Sequence, residues 1–334
     1  MTRRCLIVSD ARPSATGASD WRRIVELATF HREAGFEVTA LCLDDGVGRA
    51  ADGEACAHLA RIAANPAFAR AEDAADAIGD LHRRFAFSIH HVAGPTAPAR
   101  SDALLIAEGA ENGGCEEDLR ISFDRPETDD DDVIEAPLLR RAYRMTRARI
   151  PGARVLAGCW VEDEPRSIDA ARGLFDAILT RGGGFAPNFA IAGPGAAKVA
   201  PPRLPAPVTV LEETAERVFY RGLDIALFPD APTGATAHMP RYEALTALEL
   251  GATPLVSESA LTGIRSYWRL PSFVSLPDLA EYLLENGRAL TEGGLMAELR
   301  ARADWTWSGV AEAAGRQRRA LADAIARKWE SRVD

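Results

Sequence analysis

The sequence predicts an α/β protein made of two Rossmann-like domains facing each other across a cleft. Three observations predict it. The chain has 334 residues, more than one hydrophobic core usually organises. Short apolar runs alternate with segments of helical spacing. That alternation stops and restarts near Arg154. The expected boundaries are 1–150 for the first domain, 151–308 for the second, and 309–334 for a C-terminal helix packing back toward the first.

The first domain opens with "RCLIVSD", an apolar run of the kind that forms a buried parallel strand. The loop "ARPSATGAS" follows, with Ser19 as a helix N-cap. In "DWRRIVELATFHREAG" the apolar residues Trp21, Ile24, Leu27 and Ala28 share one helical face, and Gly35 ends the helix. "FEVTALCLD" is a second strand. A strand, helix and parallel strand form a right-handed crossover, which places the Gly17 loop at the carboxyl edge of the sheet, where ligands bind. "FAFSIHHVAG" and "DALLIAEGA" are further strands, followed by an acidic stretch from Glu108 to Asp132. "IEAPLLRRAYRMTRARIPGAR" reads as a basic helix, with Arg140, Arg141, Arg144 and Arg147 around Leu138, Leu139 and Tyr143. It is expected to close the domain, with membrane-surface contact through residues 138–149 as the alternative.

In the second domain "ARVLAG", "NFAIAGPG", "VTVLE" and "DIALFPD" are strands, interleaved with the helices "IDAARGLFDAILTR" and "TAERVFYRG". "RYEALTALELGATPLVSE" reads as a helix, a glycine stop at Gly251 and a buried strand. "SFVSL" and "PDLAEYLLENGRAL" add a strand and a helix, and terminal helices finish the chain.

Composition narrows the function. A net charge of −10 disfavours binding to a phosphate backbone as the main task, so no nucleic-acid partner is expected. No apolar run approaches the roughly 20 residues of a membrane span. The five cysteines are scattered without C-x-x-C spacing, which suggests reduced thiols and neither a disulfide framework nor a zinc site. "CLIVSD" is too short for a signal-peptide core, so the cytoplasm is the expected compartment. The run Asp129 to Asp132 has the composition of a carboxylate metal site, but like charges repel and stay wet, and no metal is assigned there.

The ordered pieces "NFAIAGPG", "VTVLE", "YRGLDIALFPD", "YEALTALELGATPLVSES", "SFVSLPDLAEYL" and "DWTWSGVAEAA", over Asn188 to Ala314, resemble the second half of retaining GT-B glycosyltransferases of the family-four-like group 1 type. The entry "TGASDWRRIVELATFHREAGFEVTAL" is similar to the start of that group, and the resemblance fades between about residues 45 and 150. It implies an acceptor-side first domain and a second domain that binds a nucleotide sugar.

The resemblance also implies site residues. Gly17 and Ala18 stand where the family has two small residues, and His90 or His91 where it often has a histidine near the donor sugar. Adjacent strand residues point to opposite faces, so one of the two histidines is expected to be structural. Gly158 follows the family's position, but Cys159 and Trp160 replace its arginine, leaving Arg166 as the nearest cation. Gly193, Gly195 and Lys198 lie where base or ribose would bind, and Leu211 and Glu212 match the segment framing the nucleobase. In "APTGATAHMPRYEAL", Thr233, Gly234, Ala235 and Thr236 allow close backbone approach to a diphosphate, and Arg241 stands at the helix start. Counting back from Gly251 puts Thr246 where the family carries a glutamate, and Glu243, one turn earlier, is the candidate to replace it.

A diphosphate is well held by backbone N–H groups and a helix N-terminus, which offer donors and a favourable dipole. The expected reaction is sugar transfer from a nucleotide-diphosphate sugar to a hydroxyl of a glycan, lipid or protein acceptor, with retention and without a metal or other cofactor. The departures from the family pattern leave open a non-catalytic GT-B-like protein that has lost donor binding. A dinucleotide oxidoreductase is disfavoured because no G-x-G-x-x-G follows "CLIVSD".

Overall fold

The structure is a computed structural model that describes residues 3–9, 19–44, 64–93, 103–108, 118–122, 133–135, 144–145, 155–181, 188–199, 208–211, 214–230 and 241–333. The chain divides into two compact units: residues 1–141 with 311–334, and residues 142–310.

Seven parallel strands form the sheet of the first unit. They are β1 (Arg4–Ser9), β2 (Glu37–Asp44), β3 (Ala64–Arg70), β4 (Ile89–Ala93), β5 (Leu104–Glu108), β6 (Leu119–Ser122) and β7 (Val133–Glu135), in the order β3-β2-β1-β4-β5-β6-β7. β1 lies at the centre of the register, with Cys5 opposite both Val38 and Ile89. Its residues Cys5 to Val8 are completely buried, as a strand covered on both faces requires. Helix α1 (Ser19–Glu33) buries Ile24, Leu27 and Ala28, three positions of the stripe its spacing predicts. Helix α2 (Ala74–Phe85) buries Ala74 and Ile78 in a cluster with Leu6, Val8, Leu41 and Val92.

Six parallel strands form the second sheet: β8 (Leu156–Trp160), β9 (Asn188–Ala192), β10 (Val208–Leu211), β11 (Ile225–Phe228), β12 (Thr253–Ser257) and β13 (Ser272–Phe273). Their order, β10-β9-β8-β11-β12-β13, repeats that of the first six strands of the first sheet. The connecting helices are α3 (Pro165–Arg181), α4 (Ala196–Val199), α5 (Glu216–Gly222), α6 (Tyr242–Glu249) and α7 (Leu276–Glu292). Ser275 and Asp278 form a reciprocal capping box at the start of α7. The terminal helices of the sequence reading are one helix, α8 (Gly294–Val333), whose residues from Ala311 onward cluster with the first unit. There Arg318 pairs with Glu33 of α1, and its guanidinium lies 5.9 Å from the Phe30 ring centroid. No helix of the described residues is long and apolar enough to cross a membrane.

The basic helix requires correction. Ile134 and Glu135 belong to β7, and Arg144 and Met145 are not helical. Arg144 is half-buried, donating to the Leu248 carbonyl and paired with Asp304. Residues 138–143 and 146–149 lie outside the described residues.

Gly158 is the third residue of β8 and faces α5. A Cβ there would lie 2.6 Å from the Ala190 carbonyl oxygen and 2.9 Å from Cζ of Phe219. Strand and helix therefore meet only because this position has no side chain. Gly158→Ala is expected to lower stability by about 1 to 3 kcal/mol, the usual cost of overpacking a core. Thermal unfolding checks this, and an unchanged melting temperature would contradict it.

Candidate functional site

In an open parallel sheet, ligands bind beyond the carboxyl ends of the strands, at the point where strand order reverses. In the second unit that point lies between β8 and β11. Neighbouring strands are about 4.8 Å apart, so the ends of β10, β9, β8 and β11 form a short row. Leu211, Ala192, Trp160 and Phe228 are the last residues of those strands.

Two of the loops beyond this row touch through their backbones. Val161 donates its N–H to the Ala192 carbonyl at 2.8 Å, and Gly195 donates to the Val161 carbonyl at 3.0 Å. Gly193 has φ +106°, and a Cβ on Gly193 or Gly195 would strike the carbonyls of Val161 or Glu162. The glycines of "AGPG" thus permit a close backbone crossing. Trp160 donates its indole N–H to Glu162 at 2.9 Å, and Lys198 pairs with Asp163 across the same two loops. Arg166 is exposed in the first turn of α3, and Leu211 is exposed at the end of β10.

Arg241 occupies the other side of the switch point. Its guanidinium stacks 4.8 Å from the centroid of Phe228, pairs with Asp230 Oδ1 at 2.9 Å, donates to the Asp230 carbonyl at 2.6 Å and lies 3.8 Å from Glu243. Burial alone would lower the Arg241 pKa, but Asp230 and then Glu243 raise it overall, so the side chain is firmly cationic. Its backbone N–H donates to the Ala260 carbonyl, and its side chain does not cap α6. Because α6 connects β11 to the parallel strand β12, its N-terminus stands at the carboxyl edge. Asp230, the partner that fixes Arg241, did not stand out in the sequence; its signal is a carboxylate two residues beyond an apolar strand in "ALFPD".

The candidate residues therefore divide. Gly193, Lys198, Leu211, Arg241 and Glu243 lie on or next to the carboxyl ends of the second sheet, with Arg166 at the start of the following helix, while Gly158 lies within β8. Gly17, Ala18, Glu212 and Thr233 to Thr236 lie outside the described residues. Among the described residues no three His, Cys, Asp or Glu side chains come together as a metal site. Asp129 to Asp132 are also outside them.

His90 and His91 belong to the first unit and point to opposite faces of β4. Both are sealed, at 1% and 0% exposure. His90 pairs with His82 of α2 at 3.0 Å. His91 Nε2 meets Glu108 at 3.0 Å and its Nδ1 meets His31 of α1 at 2.9 Å, while Arg23 donates twice to the same carboxylate, at 3.1 and 2.5 Å. The far nitrogen of His31, Nδ1, is buried without a partner among the described residues. Sequence reading did not single out Arg23, His31 or Glu108; the one signal is a carboxylate closing the apolar run "LLIAE".

With this geometry in place, the architecture is that of the GT-B class, two parallel-sheet α/β domains. A mutant O-GlcNAc transferase of Thermobaculum terrenum matches with a TM-score of 0.58 and 16% identity, covering 99% of this chain and 68% of the other. The glycosyltransferase SnogD of Streptomyces nogalater matches at 0.52 and 14% over 95% and 99%. A putative UDP-N-acetylglucosamine 2-epimerase of Listeria monocytogenes matches at 0.51 and 11% over 92% and 91%. No family model matches the sequence, and no curated protein matches it. At these identities the likeness establishes the fold.

The buried groups of the first unit predict an acid sensitivity. Burial, then the adjacent imidazole, lowers the pKa of His31 well below 6.5 and that of His90 to about 4. The unfolded chain therefore binds more protons than the folded one, and stability falls as pH drops from 6.5 toward 4. Burial alone would raise Glu108, but Arg23 and then His91 hold it at about 2, so its contribution is complete above 4.5 and is lost between 4.5 and 2. Melting temperature should decline from pH 6.5 to 4, with a shallower decline in His90→Gln. A flat profile, or identical slopes for parent and variant, would contradict this assignment.

Proposed function

We propose that the chain is a glycosyltransferase that moves a sugar from a nucleotide-diphosphate sugar to an acceptor hydroxyl, with retention and without a metal. One observation carries this reading: the N-terminus of α6 and the crossed backbone loops after β8 and β9 stand at the reversal point of the second sheet. In this reading, base and ribose lie along the ends of β9 and β10 near Gly193 and Leu211, and the diphosphate lies at the start of α6, stabilised by N–H donors and the helix dipole. Thr233 to Thr236 close over the phosphates, Arg241 supplies positive charge, and Glu243 contacts the sugar. Gly17 and Ala18 serve the acceptor side. His90 and His91, enclosed by protein, have no part in the chemistry.

A second reading, a GT-B-like protein without donor binding, is favoured by the state of the cations. Lys198 is paired with Asp163, and Arg241 with Asp230 and Glu243, so a diphosphate would have to compete for both. The fold by itself does not decide between the readings.

Calorimetry with several nucleotide diphosphates and their sugars separates them. The transferase reading expects saturable binding that persists in EDTA. It also expects Arg241→Ala to weaken binding of the bare diphosphate by about 1.5 to 3 kcal/mol, the range of a charge-assisted hydrogen bond, with melting followed in parallel. Absence of binding to every nucleotide by a folded protein would establish the second reading.

A further inference from the structure

The carboxyl edge of the second sheet presents a negative charge beside its positive one. Asp230 stands two residues beyond the end of β11 and holds the Arg241 guanidinium twice, through its carbonyl oxygen at 2.6 Å and through Oδ1 at 2.9 Å. Phe228 supplies a third support, its ring centroid 4.8 Å from the guanidinium.

A guanidinium has five N–H donors. Two of those on Arg241 go to Asp230, and Glu243, at 3.8 Å, is beyond hydrogen-bonding reach of Nε. Among the described residues, donors are therefore left for an anion, and both side chains keep contact with solvent, at 15% and 22% exposure. The carboxylate also acts on the neighbouring strand. Burial, and then Asp230, pushes the thiol of Cys159, next to last in β8, up to about 12. The charge of Asp230 is thus felt on both sides of the gap between β11 and β8, where the strand order reverses.

An anion taken up at this edge meets Arg241 and Asp230 together, so its own charge decides the balance. In a nucleotide-diphosphate sugar the β-phosphate is a diester and holds a single negative charge. Sugar transfer breaks the bond between the anomeric carbon and the β-phosphate oxygen and leaves the electron pair on that oxygen. The acceptor hydroxyl oxygen bonds the anomeric carbon and gives up its proton. The released diphosphate ends in a phosphate whose second ionisation falls at about pH 6, so above neutrality it carries close to a double charge.

We propose that Asp230 is a selectivity residue: its carboxylate, fixed beside Arg241, favours the singly charged β-phosphate of a nucleotide sugar over the doubly charged terminal phosphate of the released diphosphate. This inference rests on the transferase reading and adds to it a means of letting the product go. Arg241 attracts both ligands, and Asp230 repels the product more, in proportion to its extra charge. The same repulsion costs some stabilisation of the leaving group, which Arg241 and the start of α6 offset.

Calorimetry at about pH 8, where the terminal phosphate is doubly ionised, tests it. The ligands are the diphosphates of uridine, thymidine, adenosine and guanosine, their glucose conjugates, and their β-methyl esters, which have the donor's charge and no sugar. Asp230→Asn is isosteric, leaves the carbonyl bond to Arg241 and keeps a side-chain oxygen for Nη2, so it removes the charge and retains the support. It should raise affinity for the bare diphosphate about tenfold and for the conjugate and the ester about threefold or less, the scale of an added charge near a protein surface. Asp230→Ser, shorter and also neutral, should give the same order and carries the test if Asp230→Asn does not fold. Glu292→Gln, which removes an exposed charge on α7, should change neither affinity. A residue that only positions Arg241 gives the opposite result, equal or weaker binding of every ligand in Asp230→Asn. That result, or equal gains for the diphosphate and its ester, would overturn the proposal and leave the transferase reading in place. Failure of the folded parent and both variants to bind any of these ligands would overturn the transferase reading, and this inference with it.

Discussion

Parallel pairing around one central strand is the constraint on which the rest of the structure depends. β1 in the first unit and β8 in the second each have neighbours on both sides whose crossovers run in opposite directions along the sheet. Every strand-to-helix loop must then leave from the carboxyl edge, and a crevice opens where the direction reverses. In the second unit this one rule places the loops after β8 and β9 beside Phe228, Asp230 and the start of α6. The amino edge, where no such crevice forms, holds Asp224 and Arg300.

Each unit also encloses charge, with different consequences at the two edges. In the first unit Arg23, Glu108, His91 and His31 form a chain of bonds beneath α1 that is closed to solvent. Removing one partner from such a chain strands the others, which makes it a source of acid sensitivity more than of net stability. In the second unit Arg241 stacks over the face of Phe228 and is held there by Asp230, which stiffens the entrance to α6 while leaving the helix without a side-chain cap. Arg144 closes the far end of the same helix. α6 therefore runs, with Tyr242, Ala244, Leu245 and Leu248 almost wholly buried, from the carboxyl edge of the sheet to the bonds made by Arg144 and Met145.

What the sequence disclosed follows from how local its signals were. The α6 stop was legible because a Schellman cap needs a left-handed residue, and Gly251 follows an apolar helical stripe. The runs of β9 and β11 were legible because strands buried on both faces are continuously apolar. β3 and α2 had no counterpart in the sequence reading; Pro66 and three alanines give β3 little strand character, and an edge strand tolerates a proline. The basic segment misled because its arginines were read as one surface, whereas Arg144 finds Leu248 and Asp304 more than a hundred residues away. Glu108 was hidden for the same reason, since its partner Arg23 is 85 residues distant in the chain. The role of Gly158 depends on Ala190 and Phe219, neighbours that only the folded sheet brings to it.

The proposed function puts a nucleotide-diphosphate sugar at the carboxyl edge of the second sheet. Hydrogen–deuterium exchange with and without a bound nucleotide sugar tests this most directly. The account predicts slowed exchange at the ends of β8 and β9, through Gly193 and Gly195, and in the first turn of α6 from Tyr242. Protection confined to the amino ends of the strands, around Asp224 and Leu156, with α6 unchanged, would contradict it.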